Sequence, residues 1–236
     1  MKTARNKKIL ALYGSYQELI VGLFDGSTCV AQLHAENQRL SSYLLVAIQE
    51  VLQKAAWQLS DLNFIAVDQG PGAFNSLRAM LATINGLAYA SGIPLVGCDG
   101  LTVLADALMG ATDRSASQLH IVLLNAYNSE LYYRIEQVFF DGKRVLVCPP
   151  GYATIQEVAA KITQASSDKK SLLYTGNGYS LLIEQAPELA GEFMKAEPSE
   201  IIACLLHYAV EQEKAGKSSE SLQPLYLKVP TYKKVS

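Results

Sequence analysis

The sequence predicts an α/β protein of two tandem lobes, each opening βββα on a mixed sheet, and three observations carry that expectation. The element order of residues 8–109 begins again at residue 119. An Asp-Gly pair stands at the equivalent hairpin of each half, Asp25-Gly26 and Asp141-Gly142. A small, polar stretch at 110–118 separates the halves. With 236 residues, half of them apolar, the chain can bury a core in each lobe.

The elements follow in order. Runs rich in Ile, Val, Leu and Tyr at 8–13, 17–24 and 28–34, joined by Gly14-Ser15 and Asp25-Gly26, predict a three-stranded antiparallel meander. Leu40, Tyr43, Leu44, Ala47, Ile48, Val51, Leu52 and Ala55 recur at three- and four-residue spacing and predict a helix with one long apolar stripe. A buried strand at Leu62–Val67, a turn at Gly70-Pro71-Gly72, a helix over 75–91, a strand at Pro94–Cys98 and a helix over 101–109 complete the first half. The second half repeats the order, with strands at 119–125, 130–138 and 143–148, a helix over 154–165, a strand at 171–175, and helices near 179–189 and 198–214. The expected domains are therefore 1–110, 119–214 and a tail, 215–236, that returns to the first lobe. Tandem βββα lobes point to the duplicated actin-like (ASKHA, ribonuclease-H-like) architecture; one mixed sheet with a coincidental second meander is the alternative.

Composition excludes several classes of function. No stretch approaches the ~20 uninterrupted apolar residues of a membrane span, and the basic start (Lys2, Arg5, Lys7, Lys8) leads only to the short run Ile9–Tyr13, so neither a signal peptide nor an anchor is expected. Cys29, Cys98, Cys148 and Cys204 lie far apart, with no C-x-x-C pair, which fits reduced thiols in a cytoplasmic protein. A net charge of −2 and a pI near 5.9 argue against unaided grip on a phosphate backbone, so tRNA would be reached only through a partner. Basic residues also gather at the far end (Lys228, Lys233, Lys234), where a short charge run reads as a solvated tail.

The segment Asp68-Gln-Gly-Pro-Gly-Ala-Phe-Asn-Ser-Leu-Arg78 is a strand end, a tight turn and a helix start with Asn75 and Ser76 as candidate caps. Such a corner either presents amides to an anion or is a structural turn, and it lacks the spacings of nucleotide-binding loops. In the following helix Ala79, Ala82, Gly86 and Ala90 make a stripe of small residues beside Leu77, Leu81, Ile84 and Leu87. Small side chains admit a second backbone, either the protein's own sheet or another chain.

Gly70-Pro-Gly-Ala-Phe-Asn-Ser-Leu-Arg78 resembles the G-P-G-S-F-T-G-[LV]-R signature of the TsaB (YeaZ) family. Flanking segments are similar in the same order: the Leu44–Leu52 helix, Gly86-Leu87-Ala88, Ile93-Pro94-Leu95-Val96-Gly97, Ser129-Glu130-Leu131-Tyr132, Thr175-Gly176-Asn177-Gly178 and Pro224-Leu225-Tyr226-Leu227-Lys228. The resemblance implies a non-catalytic, actin-like scaffold subunit of the complex that places threonylcarbamoyl on tRNA adenosine. Its implied partners are a catalytic TsaD-like subunit, a TsaE-like ATPase and a competing second copy of itself. The implied partner face comprises Leu44, Leu45, Ile48, Leu52, Ala79, Ala82, Thr83, Gly86 and Ala90, beside the signature turn of Gly70, Pro71, Gly72, Phe74 and Arg78. No cofactor is expected on this chain alone; a nucleotide at the partner junction stays open.

The departures bear on chemistry. Where the family has Asp-Thr-Ser and Asp-Ala-Arg, this chain has Tyr13-Gly14-Ser15 and Asn125-Ala126-Tyr127; Leu40 stands for a His, and Ala73, Asn75 and Ser76 stand for Ser, Thr and Gly. Acids at those two hairpins help actin-like ATPases hold Mg²⁺ and phosphates, so their absence counts against the alternative function, an actin-like small-molecule kinase or ATPase acting alone. A nuclease would need several converging carboxylates, and Asp68 alone reads as a turn residue. His34, His120 and His207 are isolated in sequence, with no metal-ligand spacing among them.

Overall fold

The computed structural model describes residues 6–16, 18–36, 40–111, 117–166 and 171–227. The chain forms two compact units, 1–107 with 196–224 and 108–195 with 225–236. The terminal basic residues at 2, 5, 228, 233 and 234 lie outside the described residues.

In the first unit, β1 (Lys8–Ser15), β2 (Glu18–Asp25) and β3 (Thr28–Glu36) form the expected meander. β4 (Phe64–Asp68) and β5 (Leu95–Cys98) extend it in parallel with β1, in the order β3-β2-β1-β4-β5. Alternation sorts the two faces of this sheet. Leu10, Leu12, Leu19, Val21, Leu23, Ile65 and Val67 face a core shared with α1 (Leu40–Lys54) and α2 (Phe74–Ser91). The parallel strands are buried on both faces, so β4 reads as an unbroken apolar run closed by Asp68. α3 (Gly100–Leu108) follows β5.

The second unit holds β6 (Gln118–Asn125), β7 (Glu130–Val138), β8 (Arg144–Leu146), β9 (Gly151–Thr154), β10 (Ser171–Thr175) and β11 (Glu192–Phe193), with α4 (Ile155–Ala165) and α5 (Tyr179–Gln185). Its sheet order is β11-β10-β6-β7-β8, with β9 also on β7. Leu119, Ile121, Leu123, Leu131, Tyr133 and Ile135 pack on Ile155, Val158, Ile162 and Leu182.

Three expectations are corrected. α6 (Pro198–Lys214), expected in the second lobe, packs on β1, β2, β4 and β5 and belongs to the first unit. Its fit is close: a Cβ on Gly22 would stand 3.0 Å from Ile202 Cγ1 and 2.8 Å from the Phe24 ring, so a side chain there would require both to shift. The strand expected at 143–148 is shortened to β8, and beyond Pro149 and Pro150, which cannot donate to the ladder, an unexpected strand, β9, pairs with the other half of β7. The helix expected near 179–189 stops at Gln185, and Pro187 opens a separate single turn. Beyond α6, Ser219 bridges to Leu95 of β5, and Asn85 of α2 bonds the Leu222 backbone through both amide atoms.

Candidate functional site: the outer face of α1 and α2

Helix α1 packs against α2, and both bury one side in the first core. Burial divides the residues expected at a partner face. Leu44 and Ile48 are core residues, buried with Leu10, Val21 and Met80, so their placement on a partner face is corrected. The physical reason is the long stripe itself, which is fully used by the sheet beneath it. Leu52 is half-buried against the same core.

What α1 leaves outside is Leu45, 55% exposed, with Val46 beside it. On α2, Ala79 and Thr83 are half-buried, and the Thr83 hydroxyl donates back to the Ala79 carbonyl at 2.8 Å. Ala82, Gly86 and Ala90 are exposed, and a Cβ on Gly86 would meet nothing within 4 Å. Packing on the protein's own sheet therefore does not explain the small side chains at 82, 86 and 90. Phe74, 51% exposed, lies under the Arg78 guanidinium, 4.2 Å from its ring centroid, and Tyr89 is 91% exposed. Sequence reasoning missed Val46 and Tyr89. The available signal was that both are large apolar side chains lying off the stripe that serves the core.

The turn preceding α2 is tied down by hydrogen bonds at Gly70, but α2 begins at Phe74 with Ala73 as its N-cap and no side-chain cap, so Asn75 and Ser76, expected as caps, lie inside the helix. Gly70 and Pro71 are buried and joined by a cis peptide bond, and Gly70 takes a left-handed φ of +89°. The Gly70 amide donates to Asp68 Oδ1 at 2.8 Å, and the Gly100 amide donates to the Gly70 carbonyl at 2.8 Å. Asp68 is 1% exposed, and burial pushes its carboxyl up to about 7, with the Asp99 charge adding to the rise. Asp99 is engaged at the start of α3, accepting from the Leu101 amide and the Thr102 hydroxyl. Asp68 thus takes one donor of this corner, the Gly70 amide, in a structural role.

At the hairpin of the second unit, Asn125 accepts from the Tyr127 amide at 2.7 Å and its own amide donates to Asn177 Oδ1. It closes a turn in which Tyr127, Asn128 and Ser129 all have φ between +54 and +59°. His120 is buried and held neutral, its imidazole depressed to about 4 by burial and by Arg144. Glu136 beside it accepts from Arg134 at 2.6 Å and Arg144 at 2.7 Å. His207 is exposed on α6, whereas His34 lies 3.0 Å from Glu18 on the outer strands of the first sheet. Nothing in the described residues gathers the histidines with one another.

Comparison with known proteins places this geometry. Residues 34–194 match the family model TsaD, described as tRNA N6-adenosine threonylcarbamoyltransferase, over more than half of the chain. The chain belongs to that family. Within it, the named relatives include several TsaB proteins as well as a tRNA N6-adenosine threonylcarbamoyltransferase of Geotalea uraniireducens, 44% identical over only 50 residues, and the chain is a TsaB/YeaZ member. The tRNA threonylcarbamoyladenosine biosynthesis protein TsaB of Escherichia coli (strain K12) is 25% identical over 126 residues, 53% of each chain. The TsaB of Haemophilus influenzae is 25% identical over 198 residues, 78% of each chain. The aligned stretch thus spans only about half the length of some of the curated relatives it matches, 53% and 60% for the Escherichia coli and one Buchnera aphidicola TsaB. YeaZ from Pseudomonas aeruginosa superposes with a TM-score of 0.72 at 21% identity, over 94% of this chain and all of the other. A second Pseudomonas aeruginosa structure, described as similar to peptidase YEAZ, gives 0.75 at 22%. These two share the fold, the duplicated actin-like architecture expected from the tandem lobes. No described helix of this TsaB/YeaZ member is long and apolar enough to cross a membrane.

Proposed function

We propose that this TsaB/YeaZ member is a non-catalytic subunit for tRNA threonylcarbamoyladenosine synthesis, supporting a TsaD-like catalytic subunit through the outer face of α1 and α2, with a TsaE-like ATPase as the third component. The observation that carries the reading is the exposed set Leu45, Val46, Phe74, Ala82, Gly86 and Tyr89, apolar or small and unused by the core. Large exposed apolar side chains beside small ones suit a helix-on-helix contact, in which bulky groups of one chain enter the space left over Gly86. Support for the non-catalytic role comes from the two hairpins: Tyr13 and Asn125 stand where metal-holding acids would be needed, and the Asn125 side-chain oxygen accepts from the Tyr127 amide of its own turn. tRNA would be engaged by the assembled complex, and a nucleotide, if one participates, would sit at the junction rather than on this chain alone.

The test is assembly. The purified chain and the TsaD-like protein of the same organism are expected to co-elute from size-exclusion chromatography, and the chain alone to show no ATP turnover. Leu45→Asp and Ala82→Arg place charges on exposed positions, so each should fold normally yet weaken the complex by at least about 2 kcal/mol, read by calorimetry. Retention of full affinity by both variants would move the contact elsewhere, and ATP turnover by the chain alone would overturn the non-catalytic reading.

A further inference from the structure

We propose that Glu18, His34 and Glu36 form a site for a divalent transition-metal ion on the outer strands of the first sheet. Their ligand atoms all lie within 4.8 Å of one another, a grouping of three such donors that stands alone among the described residues. Backbone register creates it. Glu18 and Glu36 are directly opposed partners in the β2–β3 ladder, and His34, two residues before Glu36, shares its face of the sheet. Three donors are thereby delivered to one spot by two neighbouring strands.

The separations suit a metal. His34 Nε2 is 3.0 Å from Glu18 Oε1 and 3.9 Å from Glu36 Oε1. Ligands bound at about 2.1 Å and tetrahedral angles stand about 3.4 Å apart, so rotations at the ends of the two glutamates bring all three onto one ion. The donor set selects among metals. One imidazole with two carboxylates suits Zn²⁺, Co²⁺, Ni²⁺ or Mn²⁺, whereas Ca²⁺ and Mg²⁺ prefer shells made wholly of oxygen. Charge gives a physical reason for an ion here. Two glutamates placed directly opposite each other across an antiparallel pair repel, and a dication between them converts the repulsion into a link. β3 is the edge strand of its sheet, so the ion would fasten that edge to β2. The site is solvent-accessible, and three protein ligands leave a coordination position for water or an external group.

The test uses the full chain freed of any affinity tag. Co²⁺ titration followed by visible absorption, and Zn²⁺ titration by calorimetry, are expected to show one ion per chain. His34→Gln and Glu18→Gln are each expected to weaken Zn²⁺ binding at least about tenfold while leaving the metal-free urea midpoint unchanged; Glu36→Gln serves as a third variant should either destabilise the fold. The proposal is overturned if no saturable one-to-one binding occurs at millimolar metal, or if the substitutions leave the affinity unchanged. An intense near-ultraviolet band from cobalt–thiolate charge transfer would also overturn it, because the ion would then sit on the cysteines.

Discussion

Asp68 shows how one residue can be read correctly by type and still carry more than its type implies. As a turn residue it does what aspartates do, accepting from the amide two positions on. Full burial adds a pH dependence. In the unfolded chain its carboxyl titrates near 4, and in the fold near 7, so between those values the folded state binds the extra proton. Its contribution to stability is therefore present at low pH and lost as pH rises through about 7. The whole shift is worth on the order of 4 kcal/mol. Asp68→Asn keeps an oxygen for the Gly70 amide and removes the titration. We expect the variant to match the wild type near pH 3, below the unfolded value, and to exceed it by a margin that grows from about pH 4 to about pH 7 and is full at pH 8, in urea unfolding followed by the fluorescence of Trp57, the single tryptophan, which packs on the core of the same unit. Equal curves at pH 8 would mean that the carboxylate is charged and well solvated there.

At the scale of elements, local chemistry fixes boundaries more firmly than the apolar pattern does. α4 begins at a capping box: the Thr154 hydroxyl accepts from the Glu157 amide, and the Glu157 carboxylate accepts from the Thr154 amide and hydroxyl. Those bonds hold the Glu157 carboxyl below its ordinary value. Thr154→Ala should cost about 1 kcal/mol and raise amide exchange in the first turn of α4, a change visible by hydrogen exchange with mass spectrometry. α1 makes the complementary point. Its three- and four-residue spacing made the helix and its core face readable from sequence, but the same stripe was also assigned to a partner. A residue such as Leu44 cannot serve both, and the residues left for a partner are the off-stripe Leu45 and Val46. The Glu18–His34–Glu36 grouping was not readable at all, because no sequence pattern states which residue of β3 faces which residue of β2. That pairing also passes a register shift at Leu23/Phe24.

At the scale of the whole molecule, the meander of β1 to β3, the alternation of strands and helices and the second βββα order were all legible, since each rests on contacts between near neighbours in sequence. The assignment of α6 was not. An amphipathic helix declares that it will bury one side, and nothing in its periodicity names the sheet it will cover. Leu205 tests the placement. It is fully buried on α6, its carbonyl lies 3.8 Å from the Cys98 thiol of β5, and burial pushes that thiol well above its ordinary range. Leu205→Ala would open a cavity against the first sheet, at a cost of about 2–5 kcal/mol. If α6 is an integral layer of the first unit, faster amide exchange should appear in β1, β4 and β5 and the Trp57 unfolding midpoint should fall. Faster exchange confined to β6, β7 and β10 would instead return α6 to the second lobe. The consequence extends to any attempt to express the lobes separately: a fragment ending at residue 110 would expose the face of β1, β4 and β5 that α6 covers, so a soluble first unit requires 196–224 in trans or by fusion.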